Sequence, residues 1–142
     1  MTIRRLIEGR EAALVTCTTD TLVSEAAAIL AERRIGALPV TQDGELAGMF
    51  SERDVIYGLR ENDAAVLSMT VGEVMTAPAV TVEPDTSVLA ALSLMTRRRI
   101  RHLPVTDGGA MLGLVSIGDL VKFRIDQIEA DAEAMRAYIQ NA

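Results

Sequence analysis

At 142 residues the chain has the length of one domain. Its net charge of −6, with no Trp, two Tyr and two Phe, excludes a phosphodiester backbone as main partner, because that binding rests on clustered cations and stacking aromatics. A single cysteine, Cys17, excludes an internal disulfide and a cysteine zinc cluster. No apolar run reaches the length of a signal-peptide core or a membrane span, so the expectation is a soluble, cytoplasmic protein engaging neither membrane nor nucleic acid.

In chain order, Thr2–Ile7 reads as a short lead-in helix and Leu14–Thr16 as a β-prone piece. Val23, Ala26, Ala27 and Leu30 follow at helical spacing, in a helix ending at Arg33-Arg34. Ala37–Thr41 and Leu46–Phe50, around Gly44, read as a hairpin whose Pro39 should keep the first strand from being hydrogen-bonded on both sides. A second helix starts at Ser51, and Arg60–Ser68 is a polar connector. The series then returns. Thr70–Met75 is a lead-in, Val80–Val82 a strand, and Pro84-Asp85-Thr86 a break whose Asp or Thr can cap the next helix. That helix carries Val88, Ala91, Leu92 and Met95 and ends at Arg97-Arg98-Arg99; a hairpin over His102–Thr106 and Met111–Val115 leads to a helix from Ser116. Last, Ile125, Ile128, Ala132, Met135 and Ile139 recur at alternating spacings of three and four. This amphipathic terminal helix has a narrow apolar seam that either folds back on the domain or meets a partner helix.

Aligned without a gap at an offset of 65, Val15–Ile56 and Val80–Val121 are identical at 17 of 42 positions, including Pro39/Pro104, Ser51/Ser116 and Asp54/Asp119. The lead-in repeats at an offset of 68, the first copy holding three extra residues near Gly9. Halves of roughly 60 residues are marginal alone, so the two should share a core about a pseudo-twofold axis. The expected fold is α/β (α+β): tandem β-α-β-β-α motifs over 1–66 and 67–124, each with its own lead-in helix, then the terminal helix over 125–142.

The duplicated Ile-x-x-Leu-Pro-Val, the glycine before a strand and the Ser-x-x-Asp closing each copy resemble the cystathionine-β-synthase (CBS) domain pair, or Bateman module. Phe50-Ser51-Glu52-Arg53-Asp54-Val55 and Arg99-Ile100-Arg101-His102-Leu103-Pro104-Val105 are similar to small stand-alone bacterial members. The resemblance implies a regulatory, non-enzymatic module. It would bind an adenine nucleotide (AMP, ADP or ATP, with NAD and S-adenosylmethionine as further family ligands) between its copies, form a homodimer and regulate a separate protein target in trans. It also implies that Asp54 and Asp119 hold ribose while Ser51 and Ser116 contact phosphate, with Thr16 and Thr81 on the strand near which adenine docks. Ala37, Pro39 and Pro104 lie along the adjoining strands, and Arg53 and Gly118 inside the two Ser-x-x-Asp motifs.

Each assignment has a plainer counterpart. Ser-x-x-Asp is also a helix capping box, although the same free amides make a phosphate site. Threonine is a good strand residue in its own right. Charge runs such as Arg97–Arg99 default to solvated helix ends, which leaves Arg101 the better phosphate candidate; His102 is a ligand contact or a satisfied structural side chain. Glu52 repels the phosphate that Arg53 attracts, whereas Gly118 permits close approach, so the Asp119 site is expected to be the more favourable for a phosphate-bearing nucleotide. The competing reading is a scaffold that dimerises through the terminal helix and binds no ligand.

Overall fold

The repeated sequence folds into a repeated structure. The computed structural model describes residues 1–8 and 14–141. Its first half holds α1 (Ile3–Ile7), β1 (Cys17–Thr18), α2 (Val23–Arg33), β2 (Ala37–Gln42), β3 (Glu45–Ser51) and α3 (Glu52–Asn62). A 3-10 turn over Asp63–Ser68 leads to α4 (Val71–Val74), α5 (Val88–Arg98), β4 (His102–Asp107), β5 (Ala110–Ser116) and α6 (Ile117–Gln140). The extra residues expected near Gly9 lie outside the described residues.

The hairpins β2–β3 and β4–β5 match down to a bulge, which falls between Val40 and Thr41 in one and between Val105 and Thr106 in the other. β1 runs parallel to β2 through Cys17↔Val40 and Thr18↔Thr41, and an isolated bridge, Val82↔Val105, takes the same place in the second half. The expected strand at Leu14–Thr16 therefore forms at Cys17–Thr18 instead, and the one at Val80–Val82 contracts to a bridge. Proline explains the shift. Pro39 and Pro104 have no N–H to donate, so parallel pairing starts only at the next residue, with Pro104 contributing just its carbonyl to the Val82 N–H at 3.1 Å. β2 is consequently the central strand of its sheet, flanked on both sides, contrary to the expectation from Pro39 alone.

A helix cap also differs from expectation. Ser87 caps α5, its Oγ accepting the Ala90 N–H at 3.1 Å. Thr86 instead closes the preceding turn by accepting the Glu83 N–H, and Asp85 pairs with Arg4 at 3.0 Å.

Two apolar clusters form, and the lead-in helices cross between them. Val71 of α4 is buried with Val23, Leu38, Val40 and Phe50 of the first half, whereas Ile3 and Ile7 of α1 are buried with Val88, Met95, Leu103 and Leu120 of the second. The Ile3 N–H donates to the Thr86 carbonyl at 2.9 Å, and its symmetry mate, the Val71 N–H, donates to Thr21 at 2.7 Å. Each lead-in helix thus completes the other copy's core rather than its own, which makes the halves interdependent. Glycines on the hairpins admit the crossing segments: a Cβ on Gly113 would lie 3.1 Å from Ile7 Cγ2, and one on Gly48 would lie 2.6 Å from the Thr76 carbonyl oxygen.

The connector is less polar in role than its sequence indicates. Val66, in the 3-10 turn, is fully buried and sits where a Cβ on Gly58 of α3 would collide with it. Phe123, the residue matching Gly58 in the second half, packs its ring against its own core. One half fills this space with a glycine plus a connector valine, the other with a single aromatic ring.

Candidate functional site

Two cavities lie between the copies and exchange under the 65-residue offset. The first, of about 300 Å³, takes Ser51, Arg53 and Asp54 from the start of α3, and Arg98, Arg99 and Arg101 from the end of α5 and the entry to β4. Met49, Tyr57, Val80 and Ile100 give it apolar walls. The second, of about 380 Å³, takes Ser116 and Asp119 from the start of α6 and Arg34 from the end of α2, with Val15, Ile35 and Leu114 as walls. Gly36, Ala37 and His102 line both. Each cleft therefore combines the Ser-x-x-Asp motif of one copy with the helix end of the other.

That crossing changes the charge expected of each cleft. Four arginines line the Asp54 cleft, against Glu52 and Asp54; Arg34 is the arginine that lines the Asp119 cleft, and His102 lines both. The charge distribution runs against the preference for the Asp119 site expected from sequence, because Arg101, though it belongs to the second copy, lines the cleft of the first copy's motif. A non-glycine residue in the left-handed region sits on each wall. Arg34 (φ 53°) and Arg99 (φ 55°) end α2 and α5, their N–H groups turned back onto the carbonyls of Leu30 and Met95. A side chain there costs roughly 1 kcal/mol. Arg53 Nη1 then donates to the Arg99 carbonyl at 2.9 Å, tying the first copy's α3 to the second copy's α5 across the cleft.

Asp54 is the one charged residue buried among the described residues. Its Oδ2 accepts the Ser51 N–H at 2.8 Å and lies 3.3 Å from Ser51 Oγ, and its Oδ1 accepts the Thr76 hydroxyl at 3.0 Å. Burial raises its pKa above the ordinary value, while the bonds from the Ser51 N–H, Thr76 and the Ser51 hydroxyl oppose the rise. Asp119 repeats the capping box: Oδ2 accepts the Ser116 N–H at 2.9 Å, and the Asp119 N–H donates to Ser116 Oγ at 3.1 Å. Of the about four lone-pair directions a carboxylate offers, the Ser51 N–H, the Ser51 hydroxyl and Thr76 take up to three at Asp54, which leaves room for one further donor. At each helix start a carboxylate and a hydroxyl converge at a cleft, while the first amide is already held by a backbone carbonyl, Glu52 N–H by Gly36 and Ile117 N–H by Arg101; the pairing of acid and hydroxyl suits a sugar diol.

His102 stands in the wall between the clefts. A Cβ on Gly36 would lie 3.0 Å from its Cε1 and 3.5 Å from Glu52 Oε1, so only glycine leaves the imidazole this space. Burial lowers its pKa, and the positive charge of Arg101 lowers it further, against the opposing pull of Glu52 and Asp119. The neutral imidazole is favoured. Cys17 lies away from both clefts in the first core, where burial pushes its thiol up to about 11 and keeps it protonated and unreactive at neutral pH.

Of the residues singled out from sequence, Ala37, Ser51, Arg53, Asp54, Arg101, His102, Ser116 and Asp119 line a cleft. Thr16, Pro39, Thr81, Pro104 and Gly118 line neither; the two prolines are buried in β2 and β4, and Thr16 and Thr81 point to solvent while their neighbours Val15 and Val80 face the cavities. Thr76, Tyr57 and Arg99 escaped the sequence reading. For Thr76 no repeat signal existed, because Glu8 occupies its matching position; Arg99 was present in the repeat but read as solvated.

A family model for the CBS domain matches the chain twice, over residues 11–61 and 71–126. The chain belongs to the CBS-domain family. Among relatives of this CBS pair is the mitochondrial CBS domain-containing protein CBSX3 of Arabidopsis thaliana, 40% identical over 129 residues. The match covers 87% of this chain but 63% of that protein's length. Among solved structures, a CBS-domain containing protein of Agrobacterium tumefaciens superposes with a TM-score of 0.81 at 35% identity, covering 87% of this chain and 92% of that one. CBSX2, solved in complex with AMP, superposes with a TM-score of 0.76 at 27% identity, covering 90% and 98%. The mixed α/β architecture is thus that of CBS pairs. Among the described residues no helix is long and apolar enough to cross a membrane.

Proposed function

We propose that this CBS pair is a regulatory, non-enzymatic module that binds an adenine nucleotide in the Asp54 cleft, forms a homodimer and acts in trans on a separate protein. The observation that carries the reading is the meeting of a buried carboxylate with a bank of four arginines and apolar walls in one cavity of about 300 Å³, a volume at the lower end of small-ligand sites. In this reading a ribose hydroxyl donates to Asp54, the phosphate lies against the α3 N-terminus, Ser51 and the arginines, and the base rests on Val80, Ile100 and Met49. AMP is the reference ligand, because the similar CBSX2 was solved with it; ADP, ATP, NAD and S-adenosylmethionine share its adenosine group. Asp119, Ser116 and Arg34 form a second, weaker anion site of the same kind.

A ligand in this position touches both copies, so it favours whichever arrangement of the pair closes on it, and only by its difference in affinity between arrangements. Micromolar affinity corresponds to about −8 kcal/mol. Titration calorimetry of the full chain with AMP tests the reading: saturable binding that Asp54→Ala weakens supports it, and no heat or thermal stabilisation with any adenine compound leaves the ligand-free scaffold as the better account. The cytoplasmic location is part of the same proposal, and cell fractionation decides between it and the mitochondrion named for CBSX3.

A further inference from the structure

The last two-thirds of α6 stand clear of the two apolar clusters. Ile117, Leu120 and Phe123 join the second core, but Ile125, Ile128, Met135 and Ile139 are 49%, 51%, 61% and 65% exposed. Val121, 43% exposed, extends the row one step toward the domain. The seam lies on a different face from Leu120, since consecutive residues on a helix are turned by about 100°. It has therefore not folded back on its own domain. We propose that this seam pairs with the same seam of a second copy as a parallel, in-register two-stranded coiled coil.

Charge beside the seam selects both the occupant and the direction. In heptad terms Ile125, Ala132 and Ile139 occupy a, and Val121, Ile128 and Met135 occupy d. The flanking g positions are Arg124, Asp131 and Tyr138, and the flanking e positions are Lys122, Glu129 and Arg136. A parallel pair brings each g beside the e five residues on in its partner, giving Arg124 with Glu129 and Asp131 with Arg136, both attractive. An antiparallel pair overlapping along the whole seam sets Asp131 against Asp131, Glu129 against Glu129 and Lys122 against Arg136, all repulsive. Existing bonds do not block the parallel arrangement: Arg136 to Glu133 at 3.0 Å and Lys122 to Asp126 at 3.5 Å are exposed pairs within one helix, which hold their side chains weakly.

This deepens the self-association proposed above by naming its surface and direction, and it is independent of nucleotide binding. Light scattering of the full chain should give a dimer, and Ile128→Asp should give a monomer whose circular dichroism is unchanged. A dimer that survives Ile128→Asp overturns the coiled coil while leaving self-association standing; a wild-type monomer at tens of micromolar overturns both. Ile139→Cys reads direction. Parallel chains bring the two a-position sulfurs into disulfide range and should cross-link on oxidation, whereas full antiparallel overlap separates them by about 27 Å; failure to cross-link overturns the parallel register. Arg136→Glu should weaken the dimer about threefold or more, and Asp131→Arg with Arg136→Glu should restore it; no effect of either overturns the charge argument.

Discussion

The two clefts share a backbone frame and three wall residues, yet differ in nearly every property that decides anion binding. At the centre of the pseudo-twofold axis the first copy supplies Gly36-Ala37 and the second Arg101-His102. The small pair makes space for the large pair, so the single imidazole of the chain occupies both sides of a wall that perfect symmetry would have filled twice. The arginines then fall on one side. Duplication preserved the Ser-x-x-Asp frame in both copies, and divergence at two central positions and at 52–53 concentrated the cationic charge in one cleft. A repeated motif therefore marks where the clefts form, while the residues opposite it set the charge of each.

The largest test of this asymmetry is removal of one carboxylate at a time. Asp54→Ala should weaken AMP binding by about 1.5–3 kcal/mol, or tenfold and beyond, the scale of a hydrogen bond to a charged group. Asp119→Ala should leave that tighter site within about twofold. Equal losses in calorimetry would show two equivalent clefts and end the distinction.

A comparable effect on stability is expected where the halves fill the same space differently. Gly58→Ala drives a methyl group into buried Val66 and should cost about 1–3 kcal/mol of unfolding free energy in urea titration, as for other overpacked cores. Gly58→Ala with Val66→Ala should recover part of the loss. A neutral single variant would mean that the connector is not seated on α3.

Removing one cation should have a smaller result. Arg101→Ala is expected to lower affinity for AMP by about 1 kcal/mol and for adenosine, which lacks the phosphate, by much less. Identical losses for both would take Arg101 away from the phosphate.

The smallest effect is the pH dependence of His102. Because burial and Arg101 lower its pKa in the folded chain below the 6.5 of the unfolded one, the unfolded state takes up the proton first as pH falls. Stability should be level above 6.5, decline as pH drops from there toward the lowered value, and then level off. His102→Gln should remove this component from melts between pH 7.5 and pH 5. Binding has the opposite sign: a phosphate beside the imidazole favours its charged form, so AMP should bind more tightly as pH falls through the same window. Affinity that is flat across it in wild type and variant alike would remove His102 from the anion's surroundings.

Much of the fold was legible in the repeat. The two hairpins, the helices ending in arginine and the Ser-x-x-Asp starts follow from periodicity, turn residues and capping, which depend on near neighbours in sequence. The strand read at Leu14–Thr16 forms at Cys17–Thr18, and the one read at Val80–Val82 contracts to the Val82 bridge, because pairing depends on which partner residue across the sheet has an N–H to offer. Five of the thirteen site residues named from sequence do not line a cavity; Gly118 lies in α6, and the others follow the extended chain, where residues alternate in direction and Val15 rather than Thr16 turns inward.

The chain's own order of residues was enough to establish a duplicated α/β module with two acidic helix starts and an amphipathic terminal helix, since each rests on local periodicity and on comparison of the chain with itself. The exchange of α1 and α4 between cores, the assembly of each cleft from opposite copies and the turning of α6 away from its domain came from contacts between residues tens of positions apart. Those contacts are selected by burial of apolar surface, which is non-directional and leaves no mark in any single stretch of sequence. That is why the repeat alone did not say which cleft Arg101 serves, and why packing placed it opposite the first copy's motif.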